Sequence, residues 1–159
     1  MLYWLTQLSD GGDFFNLFRY ITFRAGGAFF TALLFGFLFG RPLINVLRKK
    51  QGKGQPIRDD GPSSHFEKAG TPTMGGVLIL ISLLFATCLW ARLDNIFIWI
   101  VILVTLSFGM IGFADDYSKV SKQNTKGVPG RIRLLLGFII SAIAAYFAAI
   151  NHPEALQYK

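Results

Sequence analysis

Two adjacent carboxylates, Asp115 and Asp116, close a long apolar run in the segment Phe113-Ala114-Asp115-Asp116-Tyr117-Ser118-Lys119. Paired charges at the edge of an apolar stretch need compensation, from a divalent cation, from lysines or from a raised pKa. The first of these would give cation-assisted chemistry on an anionic substrate such as a phosphate or a nucleotide. If the apolar run is a helix directed toward the basic side of the membrane, the pair stands at its C-terminal end. The macrodipole is negative there and disfavours acids, so the need for compensation grows. Lys119 follows Asp115 by four residues and Asp116 by three, so it shares their face if the helix continues by one turn. The plain alternative is a helix stop with a local salt bridge.

A second group is Lys68-Ala69-Gly70-Thr71-Pro72-Thr73-Met74-Gly75-Gly76. Thr73 has the chemistry of an N-cap, Pro72 stiffens the chain before it, and Gly75-Gly76 lets another group approach the backbone closely. A helix start offers free N–H groups to a phosphate, and Lys68 could neutralise it; a well-capped helix with small packing residues has the same pattern. The third group, Lys122-Gln123-Asn124-Thr125-Lys126-Gly127, is by itself a solvated turn. Gly52-Lys53-Gly54 lacks the spacing and context of a phosphate-binding P-loop. His65 has the character of a loop histidine, and His152 falls on the opposite side from these groups.

The elements that must position these residues are membrane-spanning helices. The chain of 159 residues is 52% hydrophobic with 16 Phe, and its mean hydropathy is positive. Apolar residues cluster at about 20–47, 73–91, 96–114 and 134–150, blocks of about 17 to 28 residues where a helix needs about 20 to cross a bilayer. Four core helices of a soluble protein would leave almost no chain to cover them. Strict alternation and closely spaced turn signals are missing, so a β-barrel does not fit, and the lipid-exposed backbone must be α-helical. The expected fold is therefore all-α, a polytopic integral membrane protein with four transmembrane helices in one domain. A cleavable leader is not expected, because the first residues are polar, lack a basic start and contain Gly11-Gly12. Cys88, the single cysteine, has no partner for an intrachain disulfide and reads as a packing residue.

Charge sets the expected orientation. Of 16 Lys/Arg residues, 12 lie in or beside two segments on one side, 48–72 and 115–133. By the positive-inside rule these are cytoplasmic loops and both termini are outside. A basic membrane face serves orientation and anionic headgroups at least as readily as an anionic substrate. Nucleic acid is not an expected partner, because no recognition motif accompanies the charge.

The run Asp60-Gly61-Pro62-Ser63-Ser64-His65-Phe66-Glu67-Lys68-Ala69-Gly70-Thr71-Pro72-Thr73-Met74-Gly75-Gly76, with Gly112-Phe113-Ala114-Asp115-Asp116-Tyr117 and Thr125-Lys126-Gly127, closely resembles the bacterial phospho-N-acetylmuramoyl-pentapeptide transferase family. Tyr20-Ile21-Thr22-Phe23-Arg24-Ala25 also resembles the start of these enzymes. The resemblance covers essentially the whole chain. It implies a multi-pass enzyme of the bacterial inner membrane with a cytoplasmic active face. The reaction moves phospho-MurNAc-pentapeptide from UDP-MurNAc-pentapeptide onto undecaprenyl phosphate, giving lipid I and UMP for peptidoglycan, with Mg2+ as cofactor. By resemblance Asp115 and Asp116 are the catalytic pair. Asp115 is expected to activate or orient the lipid phosphate, and Asp116 to organise the metal. Lys68, Thr73, Lys119 and Lys126 match positions around the substrate phosphates or carrier. Family members are about twice this length, with roughly ten spanning helices, and act as homodimers. A third aspartate tied to magnesium and a His-rich motif would lie outside the present residues. The site is thus expected to be at most half built here, with no transferase activity from these 159 residues alone.

Two other functions compete. A non-enzymatic membrane subunit or assembly partner predicts ionisable residues lining a path through the spans, yet the spans hold none apart from Arg24 near one end of the first and Arg41 near its basic end. A prenyl-diphosphate enzyme with an aspartate-rich metal motif predicts a further acid three residues after the pair, where Lys119 stands.

Overall fold

The computed structural model describes residues 2–8, 14–51, 72–122 and 127–151, and no strand occurs among them. Two short 3-10 helices, Leu2–Leu8 and Phe14–Arg19, precede four α-helices: α1 Ile21–Gln51, α2 Gly76–Trp90, α3 Ile96–Lys122 and α4 Gly130–Ile150. Three of these, α1, α3 and α4, are long and apolar enough to cross a membrane. The chain is an all-α, polytopic membrane protein. With 15 residues, α2 measures about 22 Å against a hydrocarbon core of about 30 Å. It is a shorter apolar helix, not the 19-residue span expected over 73–91.

Helix limits differ from the apolar blocks because hydropathy reports what lipid tolerates, whereas a helix ends where its hydrogen bonds end. α3 does not stop at 114 but runs on to Lys122. The segment after Ala114 contains no Gly or Pro, and Lys119 and Lys122 in the last turn suit the negative helix end. α4 starts at Gly130, not at 134, with Pro129 before it accepting bonds from Ile132 N–H (3.0 Å) and Arg133 N–H (3.2 Å). The segment expected as a loop over 115–133 is therefore helical up to Lys122 and again from Gly130, and α1 runs to Gln51 where 47 was expected.

Each helix packs against the next in sequence, and few side chains are enclosed. Among the described residues only Phe18, Met74, Ala86, Ile102, Ser82 and Asp115 are buried. On α4, Leu134 is 77% exposed and Phe138 78%, which is intelligible only if lipid or further protein is their solvent. α1 and α2 are joined at two places. At one end Gly27 leaves room for the Trp90 ring, which stacks on Phe18 at 5.8 Å. The Trp90 Nε1–H donates to Thr31 Oγ1 (2.9 Å), whose own hydroxyl donates to the Gly27 carbonyl (2.7 Å). The join at the other end belongs to the carboxylate site.

Candidate active site

Asp115 and Asp116 occupy consecutive positions on α3, so their side chains leave the helix about 100° apart and meet different neighbours. Asp115 turns toward the start of α4. Its Oδ1 accepts from the Val128 N–H (2.7 Å). Its Oδ2 pairs with Lys119 Nζ (2.7 Å) and, more distantly, with Arg133 Nη1 (3.4 Å). The residue is 4% exposed. A buried carboxylate is tolerated when its oxygens are paired, and here both are.

The backbone at 127–128 is shaped for this contact. Gly127 has φ +24°, and a Cβ there would collide with Asp115 Oδ1 and lie 2.8 Å from Lys119 Cε. Gly127 is thus required by both its conformation and the closeness of the carboxylate.

Asp116 turns toward the start of α2. Its Oδ2 accepts from the Thr73 hydroxyl (3.1 Å), and its Oδ1 lies 3.9 Å from Lys119 Nζ. A third of its side chain is exposed, against 6% for Asp115. Thr73 is not the N-cap expected from the sequence. The cap is Gly75, which makes no side-chain cap bond, and the Thr73 hydroxyl goes to Asp116 instead. Met74 between them adopts φ +71° while nearly enclosed, a left-handed turn that separates Thr73 from the helix and sends its side chain elsewhere. Thr73 is in turn gripped by Gln51. The Gln51 Nε2–H donates to the Thr73 carbonyl (3.0 Å), and the Thr73 N–H donates to Gln51 Oε1 (2.9 Å).

Four residues expected in the site, Thr73, Asp115, Asp116 and Lys119, are therefore joined in one polar cluster at the basic end of the helices. Lys68, Lys126 and His65 lie outside the described residues, as do Gly52-Lys53-Gly54 and His152. Sequence reading missed three participants. Arg133 was counted only as loop charge, Gly127 as part of a turn and of a motif without a role of its own, and no spacing rule connects Gln51 with Thr73.

The charges balance within the cluster: two carboxylates face one ammonium and one guanidinium. A hard cation takes oxygen ligands, and Mg2+ is commonly bound by one or two carboxylates together with substrate phosphates. Asp116 fits that role, being the more exposed of the pair. Asp115 fits it poorly, since a ligand bond would have to displace Val128 N–H or Lys119. No group of three or more His, Cys, Asp or Glu side chains occurs among the described residues.

Comparison with known proteins finds close likeness along the chain. Residues 68–80 match the phospho-N-acetylmuramoyl-pentapeptide-transferase signature 1. Over 157 residues and 99% of its length the chain is 74% identical to the phospho-N-acetylmuramoyl-pentapeptide-transferase of Ruegeria sp. (strain TM1040), and equally to that of Ruegeria pomeroyi. The enzyme of that name from Dinoroseobacter shibae is 68% identical over 98% of the chain. In each case the match spans 44% of the relative's length. The resemblance drawn from the motifs is thus borne out along nearly the whole chain.

Proposed function

Because this chain carries the sequence of a phospho-N-acetylmuramoyl-pentapeptide-transferase along nearly its whole length, we propose that it forms part of the active site of such an enzyme. The reaction is transfer of phospho-MurNAc-pentapeptide from UDP-MurNAc-pentapeptide to undecaprenyl phosphate, releasing UMP and forming lipid I. The observation that supports this most directly is the Thr73–Asp116–Lys119–Asp115 cluster, which gathers residues from two distant motifs at the ends of membrane helices. A lipid phosphate and a water-soluble nucleotide sugar can meet only at such a boundary. The positive-inside rule assigns the boundary to the cytoplasmic face of the bacterial inner membrane.

Asp116 would hold Mg2+ together with groups outside this chain, and the cation would neutralise charge on the diphosphate. Lys119 bridges the pair and presents an ammonium to the attacking or leaving phosphate. Asp115 orients the lipid phosphate indirectly. It holds Lys119 and Arg133 by charge, and the 127–128 backbone by hydrogen bond. Direct activation of the phosphate by Asp115 would require release of the Val128 N–H or of Lys119. Lys68, on the α1–α2 link, adds positive charge for the nucleotide phosphates.

UMP release by the native full-length protein, supplied with both substrates and Mg2+, tests this reading. Asp116→Asn should lower kcat at least about 100-fold, and Asp115→Asn should also lose turnover. Normal turnover in either variant removes that residue from the mechanism.

A further inference from the structure

We infer that Gln51, the last residue of α1, is a positioning residue for Asp116, acting through Thr73. This rests on the site reading given above and adds a residue that neither motif contains.

A primary amide offers one acceptor and a donor pair, the complement of one residue's backbone N–H and C=O. Gln51 uses both against Thr73, accepting from its N–H at 2.9 Å and donating to its carbonyl at 3.0 Å. Those backbone groups belong to no helix, since α2 starts only at Gly76. The amide therefore substitutes for the secondary structure that would otherwise fix the segment.

Two further observations make this contact more than a fastening. The next residue, Met74, is held at φ +71° with 9% exposure, a non-glycine in the left-handed region that persists only where its surroundings impose it. With the backbone of Thr73 pinned on one side and this turn on the other, the direction of its Cα–Cβ bond is fixed, and its side chain reaches α3. Its hydroxyl sits 3.1 Å from Asp116 Oδ2, closer than the 3.9 Å from Lys119 Nζ to the other oxygen. Asp116 is the less buried carboxylate, so the Thr73 bond does more to hold its rotamer than packing does. The chain of restraint runs from α1 through the start of α2 to α3, and each link is a hydrogen bond.

A fastening alone would change how much protein folds. A positioning role changes what Asp116 does. The test uses the native full-length protein in nanodiscs, with two readouts. Mn2+ affinity is taken from the electron paramagnetic resonance signal of the free ion, and UMP release is resolved into kcat and KM.

Gln51→Ala should lower kcat about 10-fold, weaken Mn2+ binding severalfold and leave KM for the nucleotide substrate within about 3-fold. Thr73→Val should do the same, and the double variant should be no worse than Thr73→Val alone, because both changes break one chain. Gln51→Glu keeps the acceptor for the Thr73 N–H and loses the donor, so it should fall between wild type and Gln51→Ala. It also serves if Gln51→Ala does not fold.

Wild-type kcat and Mn2+ affinity in Gln51→Ala, or in Gln51→Glu where that variant stands in, overturn the inference. Additive losses in the double variant do so as well. If Thr73→Val and Asp116→Asn are impaired in that case, the site reading stands and only the role of Gln51 is lost. Should Asp116→Asn itself bind Mn2+ and turn over like wild type, the site reading fails and Gln51 has nothing to position.

Discussion

Asp115→Asn isolates what the buried charge does at the α3–α4 junction, because asparagine keeps the shape and leaves an acceptor for the Val128 N–H. A hydrogen bond to a charged acceptor contributes about 1.5–3 kcal/mol and one to a neutral acceptor about 0.5–1.5, so the 2.7 Å bond from Val128 weakens by about 1 kcal/mol. The Lys119 pair at 2.7 Å is also lost as an ion pair, but Lys119 keeps Asp116 at 3.9 Å. With 21% of the Lys119 side chain exposed, about 1 kcal/mol is a fair figure for that change. Arg133 is half exposed at 3.4 Å, and such a pair adds little in solvent. The sum, about 2 kcal/mol, corresponds to about a 30-fold rise in local opening. Hydrogen exchange read by mass spectrometry on the chain in nanodiscs reports it directly. Peptides covering 127–133 should exchange about 30-fold faster in Asp115→Asn, and faster still in Asp115→Ala, while α2 near Trp90 stays as protected as in wild type. Protection at 127–133 within about 2-fold of wild type would mean that Asp115 does not anchor the start of α4 and that the accounting above is wrong.

Gly127→Ala should loosen the same segment. It combines φ +24° with a Cβ lying on Asp115 Oδ1, at a cost of about 1–2 kcal/mol, seen as about 10-fold faster exchange at 127–133. At the opposite end, Gly27→Ala puts a Cβ into the Trp90 ring, whereas at Gly26 nothing lies within 4 Å. The first should lower stability by about 1–3 kcal/mol and the second should not, read as unfolding midpoints in the same nanodiscs. Asp94, between α2 and α3, accepts a hydrogen bond from Arg92 at 2.8 Å, and this holds its carboxyl below the usual range. The folded-state pKa is depressed, so the pairing is intact above the unfolded value of about 3.9 and is lost as pH falls through the lower folded value. The carboxyl 13C titration of Asp94 should have its midpoint below that of an unpaired aspartate, and Arg92→Gln should move it back up.

How much of this was legible in the sequence depended on which physical rule each feature obeys. Bilayer thickness acts on composition directly, so the all-α membrane class could be read from the apolar blocks. Helix ends could not, because the residues after Ala114 and before Leu134 are polar yet continue helical hydrogen bonding. Lys119 was legible because the (i, i+4) relation to Asp115 is a property of one helix. The partners that cross between helices were not. Nothing local says that the Val128 N–H reaches Asp115, that Thr73 leaves its cap position for Asp116, or that Gln51 spans 22 positions to hold Thr73. Thr73 shows why the misreading was natural. Threonine before a helix is usually a cap, and the left-handed Met74 that redirects it carries no glycine or asparagine to betray the turn.

The adjacency of the two carboxylates has a geometric consequence that composition hides. A neighbouring pair leaves a helix about 100° apart, so its two members meet different surroundings, although here the Lys119 ammonium lies near both, at 2.7 and 3.9 Å. Such a pair is well suited to bind two neighbours. Asp115 spends both oxygens on the start of α4, and Asp116 meets the start of α2, with Lys119 below them tying the two charges to each other. One helix thereby holds both Thr73, before α2, and Val128, before α4. The difference follows from burial: the enclosed carboxylate is committed to the protein, and the more exposed one keeps a third of its side chain open. Exchanging the two environments, by moving the acid one position along α3, would rotate it by about 100° and separate it from both partners. The order of the pair matters as much as its presence.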